Sequence, residues 1–220
     1  MGLLGLFFPD RCAVCSVPGS ALCPRCRAEL VRIAPPLCER CGSPGAWPVA
    51  RCAECSGRRL AFARARAGVV YDERARSLVR VWKEHGREPL AVEAAQLVAE
   101  VVRPPEVELL VPVPGDPDRA LERGRVAQKA FARALGARWG IAAADPLRRV
   151  RALPRQRGLA LADRRRNVRG SVAVEGTTPR TVCVVDDVYT SGATVDACAS
   201  ALRRAGAGRV EVVTFARAVR

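Results

Sequence analysis

From residue 61 onward the apolar positions alternate between short continuous runs and longer stretches of helical spacing. ARAGVVY (65–71), VELLVPVP (107–114), VCVV (182–185) and RVEVVTFA (209–216) are the short runs, and they predict strands buried in a covered sheet. RARSLVRVW (74–82), LAVEAAQLVAEVV (90–102) and RVAQKAFARALGARW (125–139) predict helices, as does the segment from Gly192 to Ala205. That last segment places Val195, Cys198, Ala199 and Leu202 on one face. A further short strand is expected near SVAVE (171–175). Strands alternating with helices predict an α/β domain over residues 61–220, with a mainly parallel sheet flanked by helices.

The first 60 residues have another pattern. Eight of the ten cysteines fall in four C-x-x-C pairs, Cys12/Cys15, Cys23/Cys26, Cys38/Cys41 and Cys52/Cys55. CAVCSVPG and CERCGSPG share Cys, Pro and Gly at matching offsets, so the halves read as a repeat. Each knuckle can turn two sulfurs toward one Zn²⁺ at about 2.3 Å, and two knuckles complete a tetrahedron. Structural zinc is preferred over disulfides, because nothing in the sequence reads as a secretion signal. Pairing neighbouring knuckles in sequence order is the preferred assignment. The region is too small for a sufficient core, so metal is expected to supply its folding free energy. Cys183 and Cys198 belong to a strand and a helix and read as reduced core residues.

Composition narrows the class. The chain has 220 residues, 49% of them hydrophobic, as a soluble globular protein has. The apolar opening MGLLGLFF is too short to span a bilayer and lacks a basic region before it, so a cytoplasmic protein with no membrane insertion is expected. The formal net charge of +15 invites a phosphate or nucleic-acid ligand. Two zinc sites of four thiolates would each carry about −2 and bring the net to about +11. Only Lys83 and Lys129 are lysines, and high-GC coding also produces so arginine-rich a chain.

The stretch VCVVDDVYTSGAT (182–194) carries the chemistry. An apolar strand ends on Asp186 and Asp187, and a turn of Thr190, Ser191, Gly192, Ala193 and Thr194 opens the next helix. Such a turn lies at the C-terminal edge of the sheet, where open α/β sheets bind ligands. Backbone N–H groups and hydroxyls at a helix N-terminus suit a phosphate monoester, and Gly192 permits close backbone approach. The two carboxylates would repel phosphate; they suit vicinal sugar hydroxyls, directly or through Mg²⁺. A phosphorylated ribose with a metal-bound diphosphate satisfies both halves.

This run resembles the 5-phosphoribosyl-1-diphosphate (PRPP) motif of the type I phosphoribosyltransferases. The resemblance implies that Asp186 and Asp187 hold the ribose hydroxyls and that residues 190–194 wrap the 5′-phosphate. VPVPGDPDR (111–119), with Val113 and Pro114, resembles the diphosphate-binding loop. More of the chain resembles one branch of that family, the ComF-type proteins of natural competence, which join a cysteine-rich zinc module to such a domain. YDERARSLVRVWKEHG (71–86), RALERGRVAQKAFARAL (119–135) and RALPRQRGLALADRRRNVRGSVAV (151–174) carry that likeness. The family usually has Phe-Asn-Gln after Arg-Gly, where this chain has Arg125, Val126 and Ala127. Purine-salvage relatives place an Asp general base where Thr190 stands, which argues against the same purine chemistry here.

The resemblance implies displacement of diphosphate from PRPP by a nitrogen nucleophile, with the acceptor unassigned. Lys83, Arg119 and Arg123 are the cations expected near the diphosphate. Nine arginines between positions 148 and 169 could close over substrate as a lid. Two other readings stay open. One is a nonenzymatic accessory of DNA uptake that binds single-stranded DNA and a helicase-type partner, with strong salt dependence. The other is a PRPP-sensing regulator. Aromatic residues are only 5% of the chain, which is poor for base stacking. Trp47 and Trp82 are the best stacking candidates, though each reads first as a packing residue.

Overall fold

The computed structural model describes residues 10–85, 87–115, 122–150 and 170–219. Five strands, β1 (Arg64–Val70), β2 (Leu109–Pro112), β3 (Ala142–Ala143), β6 (Thr181–Tyr189) and β7 (Arg209–Arg217), form one sheet in the order β1-β7-β6-β2-β3. Every pairing in it is parallel. Two further short strands, β4 (Leu147–Arg149) and β5 (Val172–Val174), pair antiparallel outside it. Around them run α1 (Pro24–Ala28), α2 (Glu73–His85), α3 (Glu88–Val101), α4 (Glu122–Trp139) and α5 (Ala193–Arg204). The α/β class expected from the sequence is the class observed.

Alternation along the central strands divides the interior in two. On β6, Cys183 and Val185 join the cluster of Val213, Phe215, Trp82 and Phe131. Val182 and Val184 join that of Val210, Val212, Val195 and Leu202 on the other face. Helices α2, α3 and α4 therefore cover one side, where Trp82 meets Phe131 and Phe215 edge-to-face at 5.2 and 6.2 Å. Helix α5 covers the other. Cys183 and Cys198 are fully buried, one in each core, and burial pushes both thiols up. Gly68 in β1 is where α3 presses closest: a Cβ there would stand 2.9 Å from Cγ2 of Val98.

The cysteine-rich segment straddles the β1 edge. Cys12 and Cys26, with Leu22 and Leu30, belong to the three-helix core, while Cys38, Cys41 and Cys55, with Leu60 and Phe62, belong to the α5 core. Between them the chain pairs with the outer edge of β1. Ile33 N donates to Gly68 O at 2.9 Å, and Val70 N to Val31 O at 2.8 Å. That cover removes an unpaired edge. Arg27 ties the first half to α3 through Glu93 at 2.6 Å and through Glu100.

Two expectations need correcting. The strand does not stop at Val185: β6 continues through Asp186 and Asp187 to Tyr189, because β7 keeps pairing with it up to Tyr189↔Arg217. Arg148 and Arg149, expected at the start of a lid, instead sit in β4. The remaining lid residues, 151–169, lie outside the described residues, as does the opening MGLLGLFF. Among the described residues no helix is long and apolar enough to cross a membrane.

Candidate functional site

Asp186 and Asp187 stand where β6 outruns β2. The last paired β2 residue is Pro112 opposite Val185, and Val113 N donates to Val185 O at 2.9 Å. Beyond that point β6 keeps only its β7 neighbour, so both carboxylates lie at the open C-terminal edge. Both are buried, 6% and 4% exposed, which is rare for carboxylates without partners.

Each carboxylate has its own partner, and both partners come from the three-helix side of the sheet. Asp187 Oδ2 forms an ion pair with Lys83 Nζ from α2. Asp186 Oδ1 accepts from Gln128 Nε2 of α4 at 3.0 Å and from the Asp187 N–H at 2.9 Å. Burial, and then the charge of Asp187, push the Asp186 carboxyl well above the usual carboxylate range. Burial also opposes ionisation of Asp187, but Lys83 outweighs it and holds that pKa low. Lys83, half exposed, is held above its ordinary value because the charges of Asp187 and Asp186 overcome its own desolvation. The pair thus splits into one firmly ionised carboxylate and one that readily holds a proton.

The turn beyond them is built around a left-handed residue. Gly192, at φ +72°, is the N-cap of α5 and brings no side-chain acceptor. Ala193 N reaches Ser191 Oγ at 3.3 Å, and the other N–H groups of the first turn lack an intrahelical partner by construction. Asp186, Thr190, Gly192, Ala193 and Thr194 line one small cavity together with Val188, Tyr189 and Val195. Its volume of about 10 Å³ admits about one water, so a phosphate there requires the turn to give. Gln128 Oε1 is buried with no hydrogen-bond partner among the described residues, an acceptor waiting for a donor beside Asp186.

Of the other expected site residues, Val113 is buried and opens the loop after β2, and Pro114 follows it. Arg149 of β4 clamps that loop, its Nη2 3.2 Å from Pro114 O and its Nε 3.4 Å from Gly115 O. Arg119 lies outside the described residues, and of Arg123 only the backbone, in the first turn of α4, is described. On the far side of the turn opens a larger cleft of about 640 Å³. Arg58, Arg59, Arg204, Ser200 and Ala193 are among its lining residues. Trp82 is a core residue as expected, whereas Trp47 does not pack: it is 72% exposed.

The eight N-terminal cysteines form two groups, Cys12, Cys15, Cys23, Cys26 and Cys38, Cys41, Cys52, Cys55, with all ligand atoms of a group within 4.8 Å of one another. This is the grouping by sequence order. The Cys15–Cys23, Cys38–Cys55 and Cys41–Cys52 sulfurs stand 3.7, 3.6 and 3.5 Å apart. A tetrahedron with zinc–sulfur bonds of about 2.3 Å has edges of about 3.8 Å, so both groups fit Zn²⁺. Every cysteine is free, and no pair approaches the roughly 2.05 Å of a disulfide. Burial works against the Cys12 and Cys38 thiolates, yet nearby backbone N–H groups bring them down to about 6 and about 7. Two such bonds are Cys23 N to Cys12 Sγ at 3.4 Å and Cys52 N to Cys38 Sγ at 3.3 Å.

Two positions of this arrangement, Gln128 and Arg217, escape sequence reasoning, and Arg149, expected in a lid, braces the loop after β2 instead. Gln128 has a faint signal, as a polar residue in the otherwise apolar register of α4. Arg217 closes an apolar strand and is buried all the same, at 1%.

Comparison with known proteins adds three findings. Residues 3–57 match the double zinc ribbon family. The DNA utilization protein YhgH of Salmonella typhimurium is 30% identical over 223 aligned positions, covering 94% of this chain and 96% of the relative. Its Salmonella typhi counterpart is 29% identical over the same shares. Among solved structures, a B. subtilis glutamine PRPP amidotransferase complexed with ADP and GMP aligns with TM-score 0.38 and 22% identity, over 59% of this chain and 26% of that one. An allosteric regulatory enzyme of purine biosynthesis aligns with the same score and identity, over 25% of its chain. This chain spans about a quarter of those two enzymes.

Proposed function

Because the chain belongs to the ComF family, with the YhgH proteins as relatives, we propose that it binds PRPP or another phosphorylated ribose at the open edge of β6 and serves DNA uptake or utilization. A double zinc ribbon over residues 1–60 is docked on a type I phosphoribosyltransferase domain over residues 61–220, and each cysteine tetrad holds one structural Zn²⁺. The carrying observation is that Asp186 borders the same cavity as Thr190, Gly192, Ala193 and Thr194 of the turn, at the N-terminus of α5.

In this reading the amides and hydroxyls of residues 190–194 take the 5′-phosphate, with the α5 dipole favouring its charge. Asp187, kept ionised by Lys83, accepts from one ribose hydroxyl. Asp186 accepts from the other, held in place by Gln128. The loop after β2, at Val113 and Pro114 and braced by Arg149, faces the diphosphate, with Lys83, Arg119 and Arg123 as the nearby cations. Mg²⁺ bound with the substrate would neutralise charge on the departing diphosphate. The buried carboxylates and the unpaired Gln128 Oε1 fit a ligand rich in hydroxyls and metal-bound oxygens.

Calorimetric titration with PRPP and Mg²⁺ tests the site. Saturable binding that disappears in the Asp186→Asn, Asp187→Asn double variant supports it, and no binding by the unaltered protein sinks it. Release of diphosphate in the presence of candidate bases or amines separates an enzyme from a PRPP sensor.

The cleft lined by Arg58, Arg59 and Arg204, together with exposed Trp47, favours a second reading: a nonenzymatic single-stranded DNA binder that works with a helicase-type partner. Salt-dependent oligonucleotide binding that survives the double Asn variant would favour it.

A further inference from the structure

Arg217 is a full positive charge buried at the end of β7, and it belongs to neither of the ligand sites just proposed. Its backbone is fixed between Tyr189 of β6 and Val70 of β1 by strand register. Tyr71 N donates to its carbonyl at 2.7 Å, and Ala218 N donates to Tyr189 O at 3.0 Å. Its guanidinium reaches into the second cysteine group. Nη1 donates to Cys41 O at 2.7 Å, and Nη2 lies 2.6 Å from Glu54 Oε2 and 3.5 Å from Cys41 Sγ.

The same guanidinium lies over the Tyr189 ring, 4.4 Å from its centroid. Phe62 holds that ring from the side, edge-on at 6.4 Å. The phenol oxygen is buried without a hydrogen-bond partner among the described residues and ends against Gly192, where an added Cβ would stand 2.3 Å away. A continuous packed path therefore runs from Cys41 through Arg217 and Tyr189 to the residue that shapes the turn.

We propose that Arg217 is a positioning residue that ties the second cysteine tetrad to the turn 190–194, so that losing the metal from that tetrad loosens the turn. This rests on the ligand-binding reading above only for what the turn binds. With metal in place, four thiolates round Zn²⁺ present a fixed negative charge of about −2 beside Arg217, and with Glu54 they hold its planar fork. Without metal the sulfurs are free to part, the fork loses its anchor, and the ring beneath Gly192 loses its cover. The first tetrad instead packs into the core on the other face of the sheet, and among the described residues none of its cysteines bonds to Arg217.

Hydrogen exchange read by mass spectrometry on the full zinc-loaded protein tests this, with zinc content measured in parallel. Arg217→Gln and Cys52→Ser should each speed exchange of amides 189–195 by about tenfold, the weight of a hydrogen bond to a charged group. Cys15→Ser, which damages the first tetrad, should change those amides less than about twofold. Arg217→Lys keeps the charge but not the fork, and should fall between; it also serves if the Gln variant does not fold. Unchanged exchange in Cys52→Ser, or equal loosening by Cys15→Ser, overturns the coupling. A protein that ignores PRPP but shows the exchange pattern would sink the ligand reading alone.

Discussion

Gln128 Nε2 donates a 3.0 Å hydrogen bond to Oδ1 of Asp186, and both residues are buried. The bond holds in place a carboxylate whose burial favours its neutral form, and it leaves Gln128 Oε1 free to face a ligand. Replacing Gln128 by Leu removes both. Hydrogen bonds to charged groups are worth about 1.5–3 kcal/mol, so affinity for PRPP should fall by about tenfold to a hundredfold. Gln128→Glu should do worse, because it sets a third carboxylate beside two. Calorimetry on the Leu variant decides: wild-type affinity there would remove Gln128 from the site.

Asp186 and Asp187 respond oppositely to their surroundings, and this gives the site a pH signature. Asp186 has a raised pKa, so its contribution to folding is full below the unfolded pKa and is lost as pH rises through the folded one. A ribose hydroxyl needs the ionised carboxylate, so binding moves the other way. Affinity for ribose 5-phosphate should climb with pH from the ordinary carboxylate range, about 4, up to the raised pKa of Asp186, then level off. The ligand's own phosphate also titrates, but equally for every variant. The difference between wild type and Asp186→Asn isolates the carboxylate, and identical pH profiles for the two would refute its role.

The two cysteine groups should lose metal at different rates. Cys15 is exposed and Cys23 half-buried, whereas in the second group only Cys52 is even partly open. A chelator therefore reaches the first group sooner, and zinc release read with a chromogenic dye should show two phases of equal amplitude. Each structural zinc contributes on the order of 10 kcal/mol to forming its own knuckles, so the melting temperature should fall with each phase. Cys15→Ser should abolish the fast phase and Cys52→Ser the slow one. A single phase in the wild type would contradict the difference in burial.

Separation along the chain decides which partners can be read from the sequence. The cysteine grouping is legible because each tetrad is made of neighbouring knuckles closed by local turns. The juxtaposition of Asp186 with residues 190–194 is legible for the same reason, since a strand, a turn and a helix in such close succession leave little choice. Gln128 and Arg217 stay hidden, and Arg149 is given the wrong partner, because each acts on a group far along the chain, which only the fold brings near. The end of β6 is misread from sequence because adjacent carboxylates look like a turn, while pairing with β7 holds them in extended backbone. Trp47 misleads because an aromatic usually packs, and this one lies in the loop between two knuckles with no core beneath it.

Gly192 offers the sharpest test of how tightly the turn is built. At φ +72° an L-residue costs about 1–2 kcal/mol, and the Cβ of alanine would stand 2.3 Å from Tyr189 Oη and 2.5 Å from Cζ. Crowding a packed interior adds about 1–3 kcal/mol, so Gly192→Ala should lower stability by roughly 2–5 kcal/mol together. Tyr189→Phe cannot relieve the clash, because Cζ remains. Tyr189→Ala removes the ring and should cost about 3–5 kcal/mol alone through the cavity it leaves. In the double variant the three atoms nearest the alanine Cβ, all of the Tyr189 ring, are gone, and the backbone strain survives. The two changes should therefore be non-additive, the pair costing less than the sum by about 1–3 kcal/mol in urea unfolding. Additive losses would mean that the ring does not support the turn.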